Sequence, residues 1–168
     1  KDYEMKSKIK IALTYPISPS QASQALIAWE GIAVTVAVTN PVENLGMAHL
    51  QQIFSGRLEN WADVGGRPQA ILPLSREEGA QSRALFEQRV MGQGARVTRN
   101  ALVLASDQAV VATVATTAGA IGYASLRALT PEVRPLRLEG VPPSVAAIQR
   151  GQYPLVLSVV ALTVGPPQ

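Results

Sequence analysis

The chain has 168 residues, 47% of them hydrophobic and 16% charged, which fits one domain with a proper core and excludes wholesale disorder. One His and no Cys exclude disulfide scaffolds, zinc fingers and thiol nucleophiles, and argue against a His-rich metal site or a Ser-His-Asp triad. The net charge of +3 is scattered and lacks the clustered basic stripe of a nucleic-acid surface; a small anion, which needs one or two placed Arg residues, fits better.

Residues 9–14 read as a short strand stopped at Tyr15-Pro16. Ser18-Pro19-Ser20 then predicts a helix start, with good helix formers through Leu26. Residues 30–39 are β-branched and almost continuously apolar, as in a strand covered on both faces, and Asn40-Pro41 ends the run. Met47, Leu50, Ile53 and Phe54 recur three and four apart and predict an amphipathic helix over 46–54, closed by Ser55-Gly56. Residues 70–74 read as a short buried strand. Residues 80–91 read as a second amphipathic helix, with Leu85, Phe86, Val90 and Met91 on one side. A strand is expected at 101–105, a helix capped by Ser106-Asp107 and running to about Thr116, and strands at 120–125 and 133–138. Pro142-Pro143-Ser144 opens a short helix, and 154–164 is the last strand. This alternation predicts an α/β domain whose parallel or mixed sheet carries helices on both faces.

In such a sheet, ligands gather at the carboxyl ends of strands, where helix starts present free N–H groups. The richest turn follows 70–74 and reads Ser75-Arg76-Glu77-Glu78-Gly79-Ala80-Gln81-Ser82-Arg83. It offers a fixed cation, a carboxylate able to hold that cation, a Gly for a tight turn and a hydroxyl at a helix start. The Arg side chain presents a planar fork to oxyanions. A tetrahedral anion can be bound this way without metal or cofactor, and neither is expected. The same residues also suit a solvated surface turn.

Other features say less. Gly92-Gln93-Gly94 follows a helix and lacks the third Gly of a dinucleotide fingerprint, and neither a phosphate loop nor a nucleophile elbow occurs. His49 reads as structural, Trp61 as a plug beneath its turn and Asp107 as a helix cap. No spacing pairs Asp63, Glu77, Glu78 or Glu87 for acid–base chemistry, so no enzyme is expected. No apolar stretch approaches the roughly 20 residues that span a bilayer, and the first ten residues lack the apolar core of a secretion signal.

Several motifs then fall in a distinctive order. They are Trp29-Glu30-Gly31-Ile32-Ala33-Val34, Asn40-Pro41-Val42, and Leu50-Gln51-Gln52-Ile53-Phe54-Ser55-Gly56 with Asn60-Trp61 and Val64-Gly65-Gly66. Ser75-Arg76-Glu77-Glu78-Gly79, Gly119-Ala120-Ile121-Gly122-Tyr123 and Gly151-Gln152-Tyr153-Pro154-Leu155 complete them. Together they resemble the phosphate-binding proteins of bacterial ABC transporters, members of the type 2 periplasmic binding protein superfamily. The resemblance runs from about Ile9 to Val164 and is most specific in IFSGRLENWADVGG and LSREEGAQSR.

The resemblance implies a three-layer α/β sandwich with a central mixed, mostly parallel sheet, one lobe of a two-lobed receptor. Such a receptor catalyses nothing, lies in the periplasm or outside the cell at the membrane, and hands phosphate to an ABC permease. Its second-lobe loop reads S-R-[ED]-[ED]-G-S-G-T-R. On that pattern Ser75 opens the loop, Arg76 contacts phosphate and Glu78 is its acidic partner. Gly79, Ala80 and Gln81 offer backbone N–H groups, and Ser82 supplies a hydroxyl in place of Thr.

Two departures stand out. Ala80 replaces the family's Ser and Gln81 its Gly, which removes a hydroxyl and restricts the backbone. Each lost hydrogen bond to a charged ligand costs about 1.5–3 kcal/mol, roughly tenfold or more in affinity. A different or weakly held oxyanion is therefore an open reading. The second departure is extent, because the family's Gly/Ser/Thr-rich first-lobe segment has no counterpart. Residues 1–28 read as a remnant of the first lobe and hinge, and 29–168 as the second lobe with a return hinge strand at 155–164. A lone lobe cannot close over its ligand, at a cost on the order of several kcal/mol. The alternative is a non-catalytic interaction module that self-associates or pairs with another chain. Its contact face would be the apolar surface around 9–13 and 156–164, with anion bound weakly or not at all.

Overall fold

The computed structural model describes the backbone of residues 22–164 and the side chains of residues 30–156. The strand expected at 9–14 and the helix start at Ser18-Pro19-Ser20 lie outside the described residues. The chain divides into two compact units, one of residues 1–27 with 160–168 and the other of residues 28–159. Of the first unit, the strand segments 22–27 and 160–164 are described. The packing and the site below belong to the second.

The first half of the chain forms β1 (Ala22–Ala37), β2 (Asn44–Leu45), α1 (Met47–Phe54), β3 (Leu72–Arg76) and α2 (Gln81–Phe86). The second half forms β4 (Leu102–Leu104), α3 (Asp107–Thr116), β5 (Ala120–Ser125), β6 (Val133–Pro135), β7 (Arg137–Leu138), α4 (Val145–Gln149) and β8 (Val156–Val164). Strands β4, β3, β5, β1 and β6 lie in that order in one sheet, and β8 also pairs with β1. Strand β3 is parallel to β4 and β5, whereas β1 is antiparallel to β5 and β6. The sheet is mixed, as expected, but these four pairings divide evenly and give no parallel majority.

The side-chain alternation of the strands builds a core on each face. Ile32, Val34 and Val36 of β1 and Ile121 and Tyr123 of β5 face one cluster, with Leu50, Ile53, Phe54, Leu85 and Phe86 from the helices. Ala120 and Ala124 of β5 and Leu74 of β3 face the other, against Val110, Val111 and Val114 of α3. Helices thus cover both faces in three layers. Between Ala120 and Ala124 on the α3 side sits Gly122, where a Cβ would come within 2.5 Å of Val110 Cγ1. The small residues of β5 therefore let α3 lie close to the sheet.

Local signals behave as read. Helix α1 ends at Ser55, and Gly56 adopts φ 76°, the left-handed conformation that lets the chain turn away. Trp61 is buried and its Nε1 donates to Gly119 O at 3.0 Å. His49 is exposed, and its Nδ1 accepts the Gly46 N–H at 3.4 Å.

Three expectations about single elements also fail. Residues 22–26 are strand, continuous with the apolar run that follows, and not helix. The helix preference of Ala and Leu amounts to fractions of a kcal/mol per residue, and pairing in a sheet overrides it. The strand expected at 133–138 is two: β6 joins β1, while β7 pairs in parallel with β2 in a separate small sheet. Pro135, lacking an N–H, falls at the switch. The helix expected over 80–91 changes winding at Phe86, and Glu87–Met91 form a π-helical turn.

Candidate functional site

Parallel pairing brings three strand ends together. Arg76 is the last residue of β3 and lies opposite Leu104, the last of β4. Ser125 ends β5, and Glu30 enters from antiparallel β1, two residues before Ile32, which pairs with Ser125. This is the edge of an open α/β sheet where ligands bind. A cleft of ≈ 230 Å³ opens there, lined by Glu30, Arg76, Ala80, Gln81, Ser82 and Asp107 among others.

Arg76 is fixed from all sides. Its Nε donates to Leu104 O at 3.2 Å, and its Nη2 to Ala105 O at 3.2 Å and to Glu77 Oε1 at 3.0 Å. Its Nη1 bonds Asp107 Oδ1 and reaches Ser82 Oγ at 3.5 Å. The side chain is only 12% exposed. Its backbone is held as well. The Arg76 N–H donates to the Tyr123 hydroxyl at 3.3 Å, and Arg83 Nη1 donates to Arg76 O at 3.1 Å. The Glu87 carboxylate, 2.8 Å from Arg83 Nε, raises the Arg83 pKa and keeps that side chain in place.

Beneath Arg76 lies an aromatic stack. Phe86 and Tyr123 are nearly parallel at 9° with ring centroids 4.1 Å apart, and Phe54 tilts against Phe86 at 4.5 Å. Burial pushes the Tyr123 pKa up, with the hydrogen bond shared with Ser75 opposing it.

The sequence-derived site residues occupy unequal positions. Arg76, Ala80, Gln81 and Ser82 line the cleft. Ser75 is buried under it, bonded to Tyr123. Gly79 sits in the exposed turn at φ 89°, a conformation that favours Gly. Glu78 is exposed and is not the acidic partner of Arg76. That role falls to Asp107 and Glu77. Nor is Asp107 the cap of α3: the Ser106 hydroxyl accepts the Ala109 N–H at 3.0 Å, which frees Asp107 for the cleft.

Motif reading also missed Glu30 and Ser125. Glu30 Oε1 accepts the Ser125 hydroxyl at 3.0 Å, and Ser125 N–H donates to Asp107 Oδ2 at 2.8 Å. The only signal for Glu30 was its place in the first family-like motif, beside Trp29. The charged groups facing the cleft are thus one guanidinium and two carboxylates. Among the described residues no cluster of His, Cys, Asp and Glu could hold a metal ion.

The mixed sheet with helices on both faces, and the Arg held at its parallel strand ends beside a cleft, match the lobe architecture of type 2 periplasmic binding proteins. A family model described as a PBP superfamily domain matches residues 10–168, and the chain belongs to that superfamily. The phosphate-binding protein PstS of Bacillus subtilis (strain 168) is 31% identical over 130 residues, covering 77% of this chain and 43% of that protein.

Solved structures agree. An ABC-type phosphate transport receptor from Vibrio cholerae superposes with a TM-score of 0.81 at 28% identity, over 91% of this chain and 64% of that one. A Clostridium perfringens protein with bound phosphate, described as a candidate phosphate ABC transporter substrate-binding protein, gives 0.78 at 26% identity, over 84% of this chain and 58% of that one. The chain spans less than half of the PstS relative and under two thirds of either structure.

Proposed function

We propose that this chain is the ligand-binding lobe of an extracytoplasmic solute-binding receptor that takes phosphate or a related oxyanion for an ABC importer. On this reading residues 29–168 are the second lobe with its return hinge strand, and residues 1–28 belong to the first lobe and hinge. One observation carries it: the Arg76 guanidinium is held at the strand ends, facing a cleft with the Ser82 hydroxyl beside it. The phosphate-binding relatives support it. The lobe catalyses nothing; its partners are the anion and a membrane permease, and it works outside the cytoplasmic membrane. Among the described residues no helix is long and apolar enough to cross a membrane.

Calorimetric titration of phosphate, sulfate and molybdate into wild type and Arg76→Ala tests it. At least one anion binds wild type, and the substitution abolishes that binding. No heat from any oxyanion at millimolar concentration would sink the reading.

A second reading is favoured by the two carboxylates, Glu30 and Asp107, that share the cleft with Arg76. In a non-catalytic interaction module that binds anion weakly, such a charge balance has no cost. Sedimentation tests it: the module self-associates or captures another chain, and a monomer at high concentration with no partner ends that reading.

A further inference from the structure

The geometry points to Asp107 as an internal counter-anion that occupies the place on Arg76 an oxyanion needs and so sets how strongly the cleft takes anions. The inference rests on the reading of this cleft as an anion site. Asp107 Oδ1 accepts from Arg76 Nη1 and, at 3.2 Å, from the Ser82 hydroxyl. Those are the cation and the hydroxyl that an oxyanion would use. Its Oδ2 accepts the Ser125 N–H at 2.8 Å, so the carboxylate bridges the same wall that a bound anion would bridge.

The guanidinium has little left to offer. Its five N–H groups all have acceptors in reach: the Leu104 and Ala105 carbonyls, Glu77, Asp107 and Ser82. An oxyanion reaching Arg76 must exchange with the carboxylate, since nothing remains for it to add to. Room for the exchange exists. A second hollow of ≈ 320 Å³ shares Arg76, Asp107 and Ser125 with the cleft and is lined further by Gln108 and Arg127. Arg127 has no ion-pair partner among the described residues and can receive the displaced carboxylate.

Exchange replaces one charged hydrogen-bond set by another, so the net attraction of wild type for an anion is small. Asp107→Asn keeps the shape and the acceptor for Ser125 while removing the charge. Phosphate and sulfate titrated into Asp107→Asn both bind at least about tenfold more tightly than to wild type, the effect of one charged hydrogen bond regained. A residue that merely shaped the site would weaken binding when altered, so the sign of the change is diagnostic. In Asp107→Asn/Arg76→Ala the gain disappears.

Equal or weaker binding by Asp107→Asn overturns the inference, as does a gain that survives loss of Arg76. If wild type binds, Arg76→Ala abolishes it and Asp107→Asn shows no gain, only this inference falls. If wild type binds no oxyanion at millimolar concentration, the anion-site reading falls and this inference falls with it. Should the variant not fold, wild type decides by NMR. On phosphate addition the Asp107 carboxyl carbon and the Ser125 amide shift together, and their staying fixed while Arg76 resonances move overturns the exchange.

Discussion

The Ser75 hydroxyl lies 2.8 Å from the Tyr123 hydroxyl, and both are buried directly under the backbone of Arg76. This pair joins the end of β3 to β5 and holds the backbone N–H of Arg76. Tyr123→Phe keeps the stack on Phe86 but strips a partner from Ser75 Oγ and from Arg76 N–H. It lowers stability by about 1–3 kcal/mol, the cost of buried polar groups left unpaired. Ser75→Ala/Tyr123→Phe costs less than the sum of the two single changes, because it leaves fewer orphaned groups. Urea denaturation of the four proteins measures the difference.

Two buried tyrosines give the fold an alkaline limit. Burial raises the pKa of both Tyr123 and Tyr153 in the folded chain. The unfolded chain therefore ionises first, near pH 10. The contribution is complete below that pH and is lost as pH rises above it toward the folded-state values. The loss steepens to at most about 1.4 kcal/mol per pH unit for each tyrosine. Urea midpoints from pH 8 to 11.5 should fall above pH 10 and fall less in Tyr153→Phe.

Arg76 holds the fold as well as the cleft. Its removal leaves Asp107, 16% exposed, without its cation. Arg76→Ala lowers stability by roughly 2–4 kcal/mol, since breaking one side of a largely buried ion pair strands the other charge. In the Asp107→Asn background the same change costs less. A thermodynamic cycle from the four melting curves checks this, and additive effects would contradict the pairing.

Gly122 lets α3 lie close to the sheet, because it has no side chain to hold the helix away. A methyl there would sit 2.5 Å from Val110 Cγ1 and 3.3 Å from Leu74 Cβ. Gly122→Ala lowers stability by about 1–3 kcal/mol through overpacking. Val110→Ala added to it restores part of that loss, whereas Val110→Ala alone destabilises. Because α3 begins at Asp107, Gly122→Ala also shifts the Ser125 amide in NMR spectra, through its bond to that carboxylate.

Elements that rest on neighbouring residues were legible in the amino-acid order alone. Leu50, Ile53 and Phe54 marked one face of α1, Ser106 capped α3 through its own third neighbour, and Gly56 and Gly79 took the turns that favour Gly. These depend on hydrogen bonds and spacings within about five residues, which a single sequence displays. The motifs also marked Arg76 as the cation of the cleft.

The largely buried carboxylate that holds Arg76 emerged only from the folded chain. Glu78 stands two residues from Arg76 in sequence, yet Asp107, 31 residues away, holds the guanidinium. The register that sets Arg76 beside Leu104, and the small face of β5 that admits α3, bring that carboxylate in. The same long-range pairing made residues 22–26 a strand and divided 133–138 between two sheets. Pairings across tens of residues follow from how strands align, and no local spacing records that alignment.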